Sequence, residues 1–290
     1  QAQKAAVSEQ LTAAKRNFEV GTSTVTDSRE AQARYDLVVA QEIAADNDLR
    51  VKKLALDQLV GRTGTQPLPL AQPLQLPTVQ PGDVATWVQQ AQDAQPLVRQ
   101  ASIALDVAQL ETKKAQTGHL PTVDLQAGYN IQRSPNGTVS APGINSRTNS
   151  ASVGVALNVP LFAGFAVQNR IKETLALEEK ARADLENLRR TVAQSTRAAF
   201  YGVQSGQGQV KALEAAEASS QSALEANQLG YQVGVRINID VLNAQSQLYQ
   251  TKRDLAQARY NVLLGTLKLR QAAGTLQEAD VQAIDALLAK

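Results

Sequence analysis

The sequence predicts a mainly α-helical chain of long, coiled-coil-like helices carrying one pair of β-strands, and three observations predict it. First, two helix-like stretches repeat one another without a gap at an offset of 213 residues. Phe18-Glu19-Val20-Gly21 returns as Tyr231-Gln232-Val233-Gly234, Asp27 as Asp240, Ala31-Gln32 as Ala244-Gln245, Leu54 and Leu56 as Leu267 and Leu269, and Gly61 as Gly274. A repeat this long, with a glycine at each end of its helical part, marks a duplicated unit. Second, Val241, Leu248, Leu255, Val262 and Leu269 fall at intervals of seven beside a small-residue stripe of Ala244, Thr251, Ala258, Gly265 and Ala272. A large stripe next to a small one lets helices approach closely in a 3.5-residue period. Third, between the copies the apolar period changes from 3.6 to 2.

The elements follow in order. Residues 1–60 read as helix, weakened at Gly21-Thr22-Ser23-Thr24, with Gly61 as a stop. Pro67, Pro69, Pro73, Pro77 and Pro81 forbid regular helix up to Gly82. Asp83 can cap a short helix through Asp93, and Pro96 can open another to about Gln116, ended by Gly118. From Thr122 to Gln132 the residues alternate: Val123, Leu125, Ala127, Tyr129 and Ile131 on one face, Asp124, Gln126, Asn130 and Gln132 on the other. Arg133 to Ser150 has the composition of an exposed loop. Val153, Val155, Leu157 and Val159 then alternate with Gly154, Ala156 and Asn158. Such strands suit a barrel with an apolar outside and a wet inside, or a half-buried hairpin in a soluble sheet. After Pro160 no proline interrupts the helix-like sequence. There Ala181, Leu185, Leu188, Val192, Ser195 and Ala199 keep a coiled-coil spacing, which a cytoplasmic rod would also show. At about 1.5 Å per residue, Gly164 to Gly230 amounts to roughly 100 Å of helix.

Composition narrows the function. In 290 residues aromatics make up only 4%, which suits helices packed through small side chains rather than a bulky core. A net charge of +2 offers no basic field for nucleic acid. There is no Cys, which removes thiolate catalysis and Cys-based metal sites, and no apolar run long enough for a membrane helix. Gln1 opens in mid-helix pattern and the chain has no Met, so it reads as an internal or truncated piece. His119, the only histidine, sits at a helix-to-strand turn and reads as structural; Asp46 and Asp48 lack the rest of a calcium loop; and Trp87 alone is not a site. No phosphate-binding glycine loop, nucleophile elbow or metal pair is present. No enzyme activity and no cofactor are expected.

Several segments carry a resemblance. They are Gly118-His119-Leu120-Pro121-Thr122-Val123-Asp124-Leu125, then Val159-Pro160-Leu161-Phe162-Ala163-Gly164, then Gly230-Tyr231-Gln232-Val233-Gly234-Val235-Arg236 with Asp240-Val241-Leu242, and finally Ala258-Arg259-Tyr260-Asn261 and Ala273-Gly274-Thr275-Leu276. In this order and spacing the chain resembles the TolC family of bacterial outer-membrane channels. The resemblance implies long coiled-coil helices forming a periplasmic α-barrel, and strands of a trimeric outer-membrane β-barrel. It divides the chain into 1–61, last helices of a first repeat; 62–95, a Pro-rich equatorial segment; 96–119, a tunnel helix of the second repeat; 120–163, a β-barrel strand pair with an extracellular loop at 133–150; 164–274, long tunnel helices with a bend near 230–238; and 275–290, an equatorial tail. The implied function is a passive homotrimeric exit duct for type I protein secretion or multidrug efflux. It spans outer-membrane lipid and opens toward a periplasmic adaptor (membrane fusion protein) and an inner-membrane transporter. The runner-up is a soluble or periplasmic structural coiled coil or adaptor.

The resemblance also implies a gate at the helix bends, where Gly21 and Gly234 occupy matching positions. Tyr231 and Arg236 match residues that bond to Thr26 and Asp27 within and between protomers, and a few polar links between loosely packed coils make a bistable element. Asp240 matches an acidic residue facing the pore, so three copies would form a cation-favouring ring. One turn on, a second family acid is replaced by Asn243, which lowers the charge expected of the constriction. On the residues alone, Asp27 and Asp240 read equally as helix N-caps, and Tyr231 as a packing residue.

Overall fold

The structure, a computed structural model, describes residues 1–138 and 141–289. Val139 and Ser140, within the expected loop at 133–150, and Lys290, the last residue of the expected tail, lie outside the described residues. Among the described residues seven helices are present: α1 (Ala2–Glu19), α2 (Val25–Val60), α3 (Val84–Ala94), α4 (Pro96–Gln116), α5 (Ala166–Gln232), α6 (Asn238–Ala272) and α7 (Glu278–Asp285). A 3₁₀ turn at Thr117–His119 precedes the strands β1 (Thr122–Ser134), β2 (Gly137–Thr138), β3 (Ala141–Pro142) and β4 (Ser146–Asn158). The chain divides into two compact units, residues 96–191 and the remainder.

In the larger unit the duplication is visible in the backbone. α1 and α5 end at residues 19 and 232, and α2 and α6 begin at 25 and 238, both pairs 213 apart. Val7, Leu11 and Ala14 on α1 step along one face at helical spacing. They close a core with Ala31 and Val38 of α2 and Leu242 of α6. On α6 the heptad residues Val241, Leu248, Leu255, Val262 and Leu269 are all buried, as their spacing demands. α5 departs from the expected stripe at one place: Ser195 is exposed and Thr196 is buried instead. The buried face then runs Val192, Thr196, Phe200, Val203 and Val210. The Thr196 hydroxyl donates to the Val192 carbonyl at 2.8 Å, so a polar residue occupies the seam without an unpaired group.

Close packing of α5 and α6 rests on paired small residues. A Cβ on Gly206 would stand 2.9 Å from Val262, and one on Gly265 would stand 3.0 Å from Val203. Each helix thus seats a valine on the other's glycine, both with the spacing Val-x-x-Gly. At the far end of α6, Gly274 is left-handed at φ +69°, and a Cβ there would come within 2.7 Å of the Gln95 backbone. The Gln95 side-chain amide donates to the Gln271 and Ala272 carbonyls, covering the end of α6.

Prolines keep the segment after Gly61 out of helix, and it pairs instead with the chain's end. Ala71 N–H donates to Leu287 and Ala289 N–H to Pro69, at 2.9 and 2.8 Å. Trp87 is buried with its indole N–H on the Pro81 carbonyl, and Asp83 caps α3 by accepting from Thr86 N–H.

The smaller unit holds α4, the strands and the start of α5. β1 and β4 form an antiparallel ribbon in which Val123 pairs with Leu157, Leu125 with Val155 and Ala127 with Val153. One face is therefore apolar, and the other carries Asp124, Gln126, Asn130 and Gln132. The ladder continues to Ser134 and Ser146, so residues 133–134 and 146–150 of the expected loop are strand. Backbone pairing on a ribbon wet on both faces needs no apolar alternation, which is why the pattern stopped short of it. β2 and β3 form a small second ladder at the tip.

Candidate functional site

The two helix bends, α1 to α2 and α5 to α6, are built to one plan. In the first, the Asn17 carbonyl accepts from the N–H groups of Thr22 and Ser23; in the second, the Gly230 carbonyl accepts from those of Val235 and Arg236. Gly21 and Gly234 each stand at φ +77° with open space around the missing Cβ, so the left-handed backbone, not crowding, selects glycine.

Their side chains differ. Thr24 and Asp27 form a capping box, with the Asp27 carboxylate accepting from Thr24 N–H at 3.0 Å, the Thr24 hydroxyl at 2.8 Å and the Ser23 hydroxyl at 2.7 Å. These bonds, the Ser23 hydroxyl foremost, hold the Asp27 carboxyl below the usual aspartate range. The residues preceding the helices, Thr24 and Ile237, are the N-caps. Asp27 and Asp240 sit in the third helical position, one turn in, rather than capping from outside as the alternative reading had them. The second bend has no serine or threonine; its Arg236 guanidinium lies 3.6 Å from Asp240, and its stem covers Gly230, where a Cβ would fall 2.7 Å from Arg236 Cγ.

Between the bends lies an open polar cleft that includes Asn17, Thr24, Asp27, Tyr231, Arg236 and Asn238. Of the expected bend residues, Asp27, Tyr231, Gly234 and Arg236 border it, whereas Gly21, Thr26, Asp240 and Asn243 do not. Within one chain their bonds are local or new. The Tyr231 hydroxyl accepts from the Asn17 side-chain amide at 3.1 Å, and its ring packs on the cluster of Leu224, Val241 and Leu248. Arg236 faces Asp240, Thr26 is exposed in the first turn of α2, and Asn243 is exposed and accepts from Arg34 at 2.8 Å.

Three participants carried no signal as single residues: Gln10, Asn17 and Asn238. Asn238 is fully buried, accepts from Gln10 of α1 and donates to the Asp27 carbonyl at 3.4 Å. The repeat did hold a clue, since its counterpart 213 residues earlier is Val25, which is exposed. Near the bends the two helix pairs are thus linked by the hydrogen bonds Asn17–Tyr231, Arg34–Asn243, Gln10–Asn238 and Asn238–Asp27, beside the apolar cluster that Leu242 enters. Among the described residues no helix is long and apolar enough to cross a membrane, and no cluster of His, Cys, Asp or Glu could hold a metal ion.

Comparison with known proteins adds family and fold. The profile of the family described as outer membrane efflux protein matches residues 87–275. Outer membrane protein TolC of Vibrio cholerae serotype O1 is 35% identical over 285 residues, 98% of this chain and 65% of that protein. Outer membrane protein TolC of Escherichia coli K12 is 35% identical over 296 residues, 100% of this chain and 60% of that protein. The crystal structure of the outer membrane protein VceC from Vibrio cholerae matches with a TM-score of 0.74 at 19% identity, covering 94% of this chain and 64% of that one; at this identity the likeness is one of fold. The chain thus spans between 60% and 65% of the length of these relatives.

Proposed function

Since the chain belongs to the outer membrane efflux protein family, we propose that the whole protein is a passive exit duct of the outer membrane. It works as a homotrimer whose strands close one barrel in the lipid and whose helices line a periplasmic tunnel. The partners are an inner-membrane transporter and its periplasmic adaptor, and the cargo is exported protein or small toxic compounds. The observation that carries this reading is the β1–β4 ribbon. Its strands are 13 residues long, beyond the roughly 9–11 that span a bilayer. Its apolar face is uncovered in one chain, with Leu125 77% and Val153 79% exposed. A lone two-stranded ribbon is marginal in water, so these faces need neighbouring strands and lipid. Leu161, Phe162 and Phe165 stand exposed just after β4, where aromatic side chains would meet the membrane interface.

On this reading the bends are the periplasmic gate. Tyr231 and Arg236 latch toward Thr26 and Asp27, partly across protomers. Asp240 lines the constriction as a ring of three, with Asn243 contributing no charge one turn on.

The test is single-channel conductance of the full-length protein in a planar bilayer, with its mass measured in detergent. A trimer with small, cation-preferring openings is expected. Arg236→Ser and Tyr231→Phe should enlarge those openings, and Asp240→Ala should reduce the cation preference. A detergent-independent monomer without conductance would overturn the duct. A normal channel whose closed-state conductance ignores both latch substitutions would overturn the gate assignment alone.

A further inference from the structure

Among the described residues the two helix pairs are joined near the bends by few polar bonds, and of these only the bonds of Asn238 start from a buried side chain. Asn17–Tyr231 is half-buried and Arg34–Asn243 exposed. Asn238 is 1% exposed, and its one amide group reaches both members of the facing pair: Oδ1 accepts from Gln10 of α1, and Nδ2 donates to the Asp27 carbonyl of α2. One turn along the same face of α6 is Leu242, also fully buried, which enters the apolar seam of Val7, Leu11, Ala14 and Ala31.

An apolar seam resists separation but is tolerant of sliding, because one aliphatic contact replaces another. A buried amide is not tolerant. If α6 turns or shifts against α1 and α2, both of its bonds break at the wall of the cleft, and the Asn238 amide, itself 1% exposed, loses both partners. Buried polar groups of this kind fix register in helix packing.

We infer that Asn238 is a positioning residue of the gate: an intrachain bolt that sets the register of α6 on α1 and α2 and must be withdrawn before the bends can part. The inference rests on the channel reading above, but on none of the latch residues proposed there. Position 25, the match of Asn238 in the other copy, is Val25, so only one of the two bends in each chain carries the bolt.

The test uses the full-length protein in planar bilayers with Asn238→Leu, a substitution of similar volume that fills the buried site without polar atoms, and Gln10→Leu at the partly exposed partner. Each should raise open-state occupancy roughly fivefold or more, the effect of losing one well-made buried bond. The double variant should do no more than Asn238→Leu alone, because that variant already removes the Gln10 link. The trimer's melting temperature in detergent should hold or rise for Asn238→Leu. Closed-state behaviour like that of the unaltered protein in both single variants, with or without a lower melting temperature, would overturn the bolt. Fully additive effects would overturn the Gln10–Asn238 link as its basis. An unaltered protein that does not conduct would bring down the channel reading and the bolt together; a conducting one with inert variants would bring down the bolt alone.

Discussion

Gly21 and Gly274 both hold left-handed backbone, yet they answer to different constraints. Around Gly21 there is room for a Cβ, so Gly21→Ala should cost only the left-handed penalty of about 1–2 kcal/mol. At Gly274 the same penalty is joined by a 2.7 Å collision with the Gln95 backbone, which has no flexible end to swing away. Gly274→Ala should therefore lower the melting temperature of the full-length protein clearly more than Gly21→Ala, and equal losses would refute the close approach. Asp27 makes a prediction in pH. Its folded-state pKa is depressed, chiefly by the Ser23 hydroxyl, so its contribution is full above the unfolded aspartate value and is lost as pH falls through the folded one. Asp27→Asn should cost about 1 kcal/mol at neutral pH, and the gap to the unaltered protein should begin to close only as pH falls below about 4. A gap that stays constant would show that the carboxylate is not what stabilises the bend. The duplication pointed to both acids. It could not point to the Gln10–Asn238 pair as a bond, because its members lie 228 residues apart and nothing local in either predicts the other.

At the scale of elements, the crossing of α5 and α6 depends on the two Val-on-Gly contacts. Gly206→Ala places a methyl 2.9 Å from Val262 and should destabilise by about 1–3 kcal/mol through overpacking. Adding Val262→Ala should restore much of that loss, whereas Val262→Ala alone should destabilise by opening a cavity. If the pair is simply additive in melting temperature, the two residues do not share the contact. The heptad on α6 was legible because large residues every seven positions leave only one face to bury. On α5 the expected Ser195 gives way to Thr196, since a small polar residue carries too little apolar weight to fix which of two neighbours turns inward. The ribbon shows the same limit from the other side: its outer rungs are Ser, Arg, Thr and Asn, paired through backbone alone and silent in hydropathy.

At the scale of the whole molecule, the two faces of the ribbon should respond oppositely to charge. Leu125→Arg on the apolar face should cost about 2–4 kcal/mol if that face meets lipid near the bilayer middle, while Gln126→Arg on the other face should be tolerated. The readout is the yield of detergent-resistant trimer from membranes; equal yields would remove the lipid-facing role of Leu125. The mismatch between Val25 and Asn238 has a consequence of symmetry. In the proposed trimer three chains would bring six bends of one backbone shape around a common axis, a rim close to sixfold in outline. The proposed pins at every second position would reduce its mechanics to threefold. Stiffness would then alternate around the circumference, and such an aperture would dilate by the swing of three leaves between three posts, not by the even retreat of six.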